Sequence, residues 1–184
     1  MFSRFLLALS LEPLSLKSVE ARRIWQALLA LAGGIMALTL ACVTPFPAME
    51  VLASRTLSAR AAAFTLAGAV AANQFVGFFV LGFPRTVESV AWAPVFLVAT
   101  LAAYQLASRV RSWPLALCGA FVAYEAVLAA YTLLTEHSLA AFAPTIVLKL
   151  AWANVEGLGV LAASYLAILV VDRATAGSAA GTEA

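Results

Sequence analysis

This sequence predicts an all-α fold, a polytopic bundle of transmembrane helices. Hydrophobic residues make up 64% of the chain and charged residues 11%, whereas soluble domains carry about a quarter charged residues. The mean hydropathy is +0.99. Long apolar runs alternate with short stretches that hold the prolines and arginines. At about 20 residues per span, 184 residues hold five or six spans with short loops and no separate soluble domain. Six spans is the favoured count, with five as the alternative.

Residues 1–23 form an N-terminal segment. Its apolar core FLLALSL is followed by Glu12, Pro13 and Lys17 instead of a small-residue cleavage site, so residues 2–11 read as an uncleaved interfacial helix, with a short disordered lead as the alternative. The transmembrane domain is expected over 24–173. Its first span, near 24–44, is entered from Arg22 and Arg23, has Trp25 at headgroup level and stops at Pro45 and Pro47. Residues 45–58 carry Glu50 and Arg55 besides the two prolines; too polar and short to span, they read as a structured loop or re-entrant cap. Further spans are expected near 59–82, 87–107 and 113–134, and the Phe83-Pro84 step ends the first of these. The tract 138–172 would be about 52 Å long as one helix against a hydrocarbon core of about 30 Å. With Pro144, Gly157 and Gly159 as break points, it is expected to be broken near 149–159 or doubled. The tail 174–184 is small, polar and expected to be disordered.

Arg4, Lys17, Arg22 and Arg23 predict a cytoplasmic N-terminus in the cell's inner (plasma) membrane. Simple alternation then puts Arg55, Arg60, Arg109 and Arg111 outside, against the positive-inside rule. Either an element escapes this reading or those arginines have an external role.

Polar side chains within a span are costly, roughly 2.5–3.5 kcal/mol for a charge at mid-membrane, and should face the bundle interior. Asn73 and Gln74 in VAANQFVGF, Glu125 in AFVAYEAVLAAY, and Lys149, Asn154 and Glu156 in LKLAWANVEGLG meet this description. They suggest a ligand-binding pocket of Asn73, Gln74, Glu125, Asn154 and Glu156 with Trp152 as its stacking face. The structural alternative has Lys149 pairing with Glu125 or snorkelling to the interface, Glu156 paired structurally, and the amides serving as interhelical glue.

The small residues Gly33, Ala37 and Ala41 recur every fourth position in the first span, and Gly68 and Ala72 in the second. Such stripes serve close internal packing or a partner interface. Cys42 and Cys118 lack metal or redox spacing, and His137 is a lone histidine in a loop. HExxH, GxSxG, P-loop and CxxC motifs do not occur, so no enzyme, catalytic residue, metal or cofactor is expected. The scattered basic residues argue against nucleic acid. The lipid bilayer, a small-molecule ligand and other membrane subunits are the expected partners; a structural or assembly subunit without a ligand is the alternative.

Length, hydrophobicity, the six-helix plan and the Ala37-Leu-Thr-Leu-Ala41 pattern resemble the substrate-binding S components of energy-coupling factor vitamin transporters. That resemblance implies that Ala37 and Ala41, with Gly33, face a coupling subunit. It also implies that 45–58 caps an outer pocket and that the outer arginines attract an anionic ligand.

Overall fold

The computed structural model describes residues 15–39, 44–136 and 138–180, and every regular element among them is helical. The helices are α1 (Val19–Thr39), α2 (Phe46–Thr56), α3 (Ala59–Phe75), α4 (Val87–Arg109), α5 (Trp113–Glu136) and α6 (Pro144–Ala180). A π-helical turn, Val76–Val80, prolongs α3, and a 3-10 turn, Ala140–Phe142, precedes α6. Four of these are long and apolar enough to cross a membrane: Ala59–Val80, α4, α5 and, within α6, Pro144–Ala176. The chain is an integral membrane protein. Residues 2–11, Ala41, Cys42 and His137 lie outside the described residues.

The stretch expected to be a loop or cap is instead the short helix at the centre of the bundle, buried continuously from Phe46 to Ala53. Two prolines do not prevent this, because they sit at the helix entrance, where a missing N–H is tolerated. A helix end inside a membrane must still satisfy its backbone groups within the protein. Phe46 N–H donates to the Thr44 carbonyl at 2.8 Å and Met49 N–H to that of Pro45 at 3.2 Å. Pro47 has no N–H, and Ala48 N–H donates to Asn154 Oδ1 of α6 at 3.1 Å. At the other end, Thr56 Oγ1 donates to the Leu52 carbonyl and accepts from Trp25 Nε1 at 2.8 Å. Trp25 is therefore fully buried within the bundle.

Contacts along the seams fix the chain directions. Thr44 of the α2 entrance meets Gly33, and Thr56 meets Trp25, so α2 runs back along α1. Gly68 faces Ala30 and Gly34 faces Ala72 and Val76, so α3 runs parallel to α1. Leu106 packs on Gly119 and Trp92 on Tyr131, making α4 and α5 antiparallel. Gly157 lies at Pro45, Tyr165 at Trp25, and Asp172 accepts from the backbone N–H groups of Lys17 and Ser18 at 2.6 and 3.1 Å, so α6 runs antiparallel to α1.

These directions dissolve the charge conflict. Because α2 reverses the chain, Arg55 and Arg60 return to the end of the bundle where α1 begins, and Arg109, Arg111 and Arg173 join them. Every described basic residue except Arg85 and Lys149 lies toward that end. The missed element was α2. Arg55 donates there to the carbonyls of Val110 and Arg111 and stands over the Trp113 ring at 5.8 Å.

The expected break near 149–159 does not occur: α6 is one helix of 37 residues, Pro144–Ala180, and it continues into the stretch expected to be disordered. Pro144 sits at its first position, where proline is accommodated. A Cβ on Gly157 would approach the Pro45 ring within 2.6 Å, so this glycine is a notch for the α2 entrance, while Gly159 faces open space. Neither position needs a glycine-only backbone; the positive φ among the glycines is at Gly82, +72°.

Candidate functional site

At the end opposite the arginine-rich one, α3, α4, α5 and the start of α6 diverge around a cavity of about 400 Å³, within the size range of small-molecule pockets. Its mouth is marked by the exposed lining residues Phe83, Pro84, Glu136 and Ala141.

One wall is a stripe of α5. Glu125, Leu128, Thr132 and Glu136 all line the cavity, and their spacing of three, four and four residues holds them on one helical face. Carboxyl groups thus mark both its depth and its mouth. Trp92 and Phe96, one turn apart on α4, form the facing wall, with ring centroids 5.6 Å apart. Trp92 is held edge-on by Tyr131 at 4.8 Å, and Phe96 stacks on Phe46 of the central helix at 6.4 Å.

The third wall depends on two glycines. Gly82, in the left-handed conformation that glycine adopts without steric cost, turns the chain after the π-helical turn, and Phe83 N–H then bonds the Gly77 carbonyl at 2.9 Å. A Cβ on Gly77 would lie 2.7 Å from the Phe83 ring. Phe83 can therefore fold over the end of α3 and line the cavity.

Asn73 and Gln74 line the floor. Asn73 Nδ2 donates to Thr44 Oγ1 at 2.6 Å and to the Gly33 carbonyl at 3.4 Å, while its Oδ1 accepts from Gln74 Nε2 at 3.2 Å. The pair ties α3 to α1 and to the α2 entrance as it faces the cavity. Behind it lies a second, smaller space of about 90 Å³, lined among others by Thr44, Asn73, Tyr124, Glu125 and Asn154. Glu125 borders both spaces, and its Oε2 is buried without a hydrogen-bond partner. In a low-dielectric setting an unmade hydrogen bond of this kind is costly.

The sequence-predicted pocket is only partly assembled. Asn73, Gln74 and Glu125 converge. Asn154 reaches the smaller space, but its Oδ1 holds Ala48 N–H and its Nδ2 the Leu150 carbonyl at 2.9 Å, so it completes the α2 entrance. Trp152 and Glu156 are on the outer face of α6, where Trp152 is 63% exposed and donates from Nε1 to Glu156 Oε1 at 2.6 Å. Lys149 is exposed on that face too. The helical stripe was right and its direction wrong: Asn154, Gly157 and Leu161 define the buried face of α6, and Lys149, Trp152 and Glu156 lie opposite.

Ala37 is 2% exposed and lines the cavity, and Gly33 is buried against the Ala69 backbone in the α1–α3 seam. Neither is free to meet a coupling subunit. The helix expected to cap the pocket lies inside the bundle, and the arginines expected to attract an anion are at the opposite end.

No known family, curated protein or solved structure matches the chain.

Sequence reading missed two features. The aromatic walls carry no signal in a chain where aromatics are ordinary lipid- or core-facing residues. Glu50 was assigned to a loop, yet it is fully buried on α2, with both carboxyl oxygens unpartnered. Thr100 Oγ1 on α4 is likewise buried, and it faces Glu50. Among the described residues no three His, Cys, Asp or Glu side chains are grouped as metal ligands.

Proposed function

We propose that this membrane protein is the small-molecule-binding subunit of a multi-subunit transporter. The observation that carries the reading is the 400 Å³ cavity with the buried, unpartnered Glu125 oxygen at its side. A carboxyl group in that position is costly unless something meets it, and a ligand entering between the α4 and α5 walls would meet the Glu125 side chain that borders the cavity. The sequence contains no ATP-binding motif, so energy for transport would come from partner subunits. The role is binding, not catalysis. The general plan, five long helices and a sixth short one around a pocket, accords with the resemblance to S components, although the alanine pattern on α1 does not contribute to it. The clustering of basic residues supports a cytoplasmic N-terminus in the plasma membrane, with the cavity opening on the outer face.

Native mass spectrometry of the protein gently extracted from its own membrane tests this. A small-molecule mass should accompany the unaltered chain and be lost from Ala141→Trp, which narrows the mouth at an exposed residue and leaves the core intact. Two identical spectra without any small-molecule mass would refute the reading.

A second reading, an assembly subunit of a larger membrane complex, is favoured by Glu156. It faces outward about 18 Å along α6 from Pro144, a depth at which a lipid-facing carboxylate is unfavourable. In the same spectra, a partner chain lost on Glu156→Leu and no bound small molecule would support this reading over the first.

A further inference from the structure

The cavity also indicates which chemistry it accepts. Resting on the ligand-binding reading above, we propose that its ligand is an organic cation with a flat apolar body, whose positively charged nitrogen is received by Glu125.

Three observations converge. First, the charged residues lining the cavity are Glu125 and Glu136, both acidic; Arg85 and Lys149, the basic residues toward this end, line neither space. Arg85 is engaged elsewhere, over the Phe79 ring at 4.7 Å and donating to the Phe78 carbonyl at 3.4 Å. An anion would meet carboxylates with no compensating cation. Second, Glu125 Oε2 is a buried acceptor with no partner. The neighbouring amide of Asn73 donates to Thr44 and Gly33 instead, so the Glu125 carboxyl, which borders the cavity, has no protein donor on its buried oxygen. Third, Trp92, Phe96, Phe78, Phe83 and Phe142 line the same space. Ring faces attract cations and give a planar body an apolar surface to stack on. Glu136 at the mouth, three turns along the same α5 face as Glu125, would draw a cation inward before Glu125 receives it.

Three probes of similar size and different charge separate the possibilities: 2-phenylethylammonium, 2-phenylethanol and phenylacetate. They are titrated against the full chain in phosphatidylcholine nanodiscs, with empty nanodiscs subtracted and tryptophan fluorescence as the readout, since Trp92 is in the cavity wall. The ammonium probe should bind about tenfold or more tightly than phenylacetate, as a charge-assisted hydrogen bond implies. Glu125→Gln should remove that advantage, bringing the ammonium and phenylacetate affinities to within a few-fold of each other. Phenylacetate binding as well as the ammonium probe overturns the cation preference, as does an ammonium affinity that survives Glu125→Gln. Equal binding of all three overturns the preference and leaves the pocket standing; binding of none overturns both. Should Glu125→Gln fail to fold, the ratio measured on the unaltered chain decides alone.

Discussion

Asn154→Leu isolates the bond that lets a helix begin inside the bundle. Leucine keeps the branched, four-heavy-atom outline of asparagine, is somewhat bulkier, and removes the acceptor that holds Ala48 N–H at 3.1 Å. The Leu150 carbonyl, the other partner of Asn154, loses little, because the α6 backbone still occupies it. Ala48 is fully buried, so the loss is that of an orphaned buried donor, about 1–3 kcal/mol. At roughly 2–4 °C per kcal/mol for a chain of this size, the midpoint of thermal unfolding should fall by about 2–12 °C. Glu156→Leu, two residues along the same helix, is the internal control: its carboxylate bonds the exposed Trp152 alone, and its removal should leave the midpoint unchanged or raise it. The assay is thermal unfolding of the purified protein in one detergent, followed by circular dichroism. An unchanged midpoint for Asn154→Leu together with a large drop for Glu156→Leu would reverse the faces of α6 and refute the reasoning.

The two glycines of α6 should also part company. Gly157→Leu would collide with Pro45 and cost at least the ~1–3 kcal/mol of an overpacked core, seen as aggregation or a lowered unfolding midpoint, whereas Gly159→Leu enters open space and should behave as the parent does. For topology, single cysteines introduced at Arg60, Arg111 and Arg173 in a Cys42→Ala, Cys118→Ala background should react with a membrane-impermeant maleimide from one side of the membrane, and one at Arg85 from the other; labelling of Arg60 and Arg85 from the same side would contradict a membrane crossing by Ala59–Val80.

What the sequence disclosed follows from where the physical signal is local. Apolar length and flanking proline or arginine locate the long helices, because crossing a membrane imposes those features on the segment itself. Asn73, Gln74 and Glu125 are conspicuous for the same reason: a polar group in an apolar run must face protein, and these do. Direction around a helix is another matter. Lys149, Trp152 and Glu156 share a stripe, but only tertiary contacts reveal whether that stripe faces in. In α6 the inward side was taken by Asn154 and Gly157, which serve the α2 entrance. The composition of α2 misled most. Two prolines, a glutamate and an arginine in 14 residues resemble a loop, and its burial depends on an acceptor that Asn154 of α6, distant in sequence, supplies.

The central helix also connects the two ends of the molecule. Because α2 carries the chain back, two consecutive long helices, α1 and α3, lie side by side and parallel, with Gly33 and Gly34 allowing backbone approach at Ala69 and Ala72. That reversal gathers Arg55, Arg60, Arg109 and Arg111 at one end. It leaves the other end without a basic residue in its cavity wall, where Glu125 and Glu136 are the charged lining residues. The arginine placement that first suggested an anionic ligand thus becomes, once the chain's course is known, a reason to expect a cationic one.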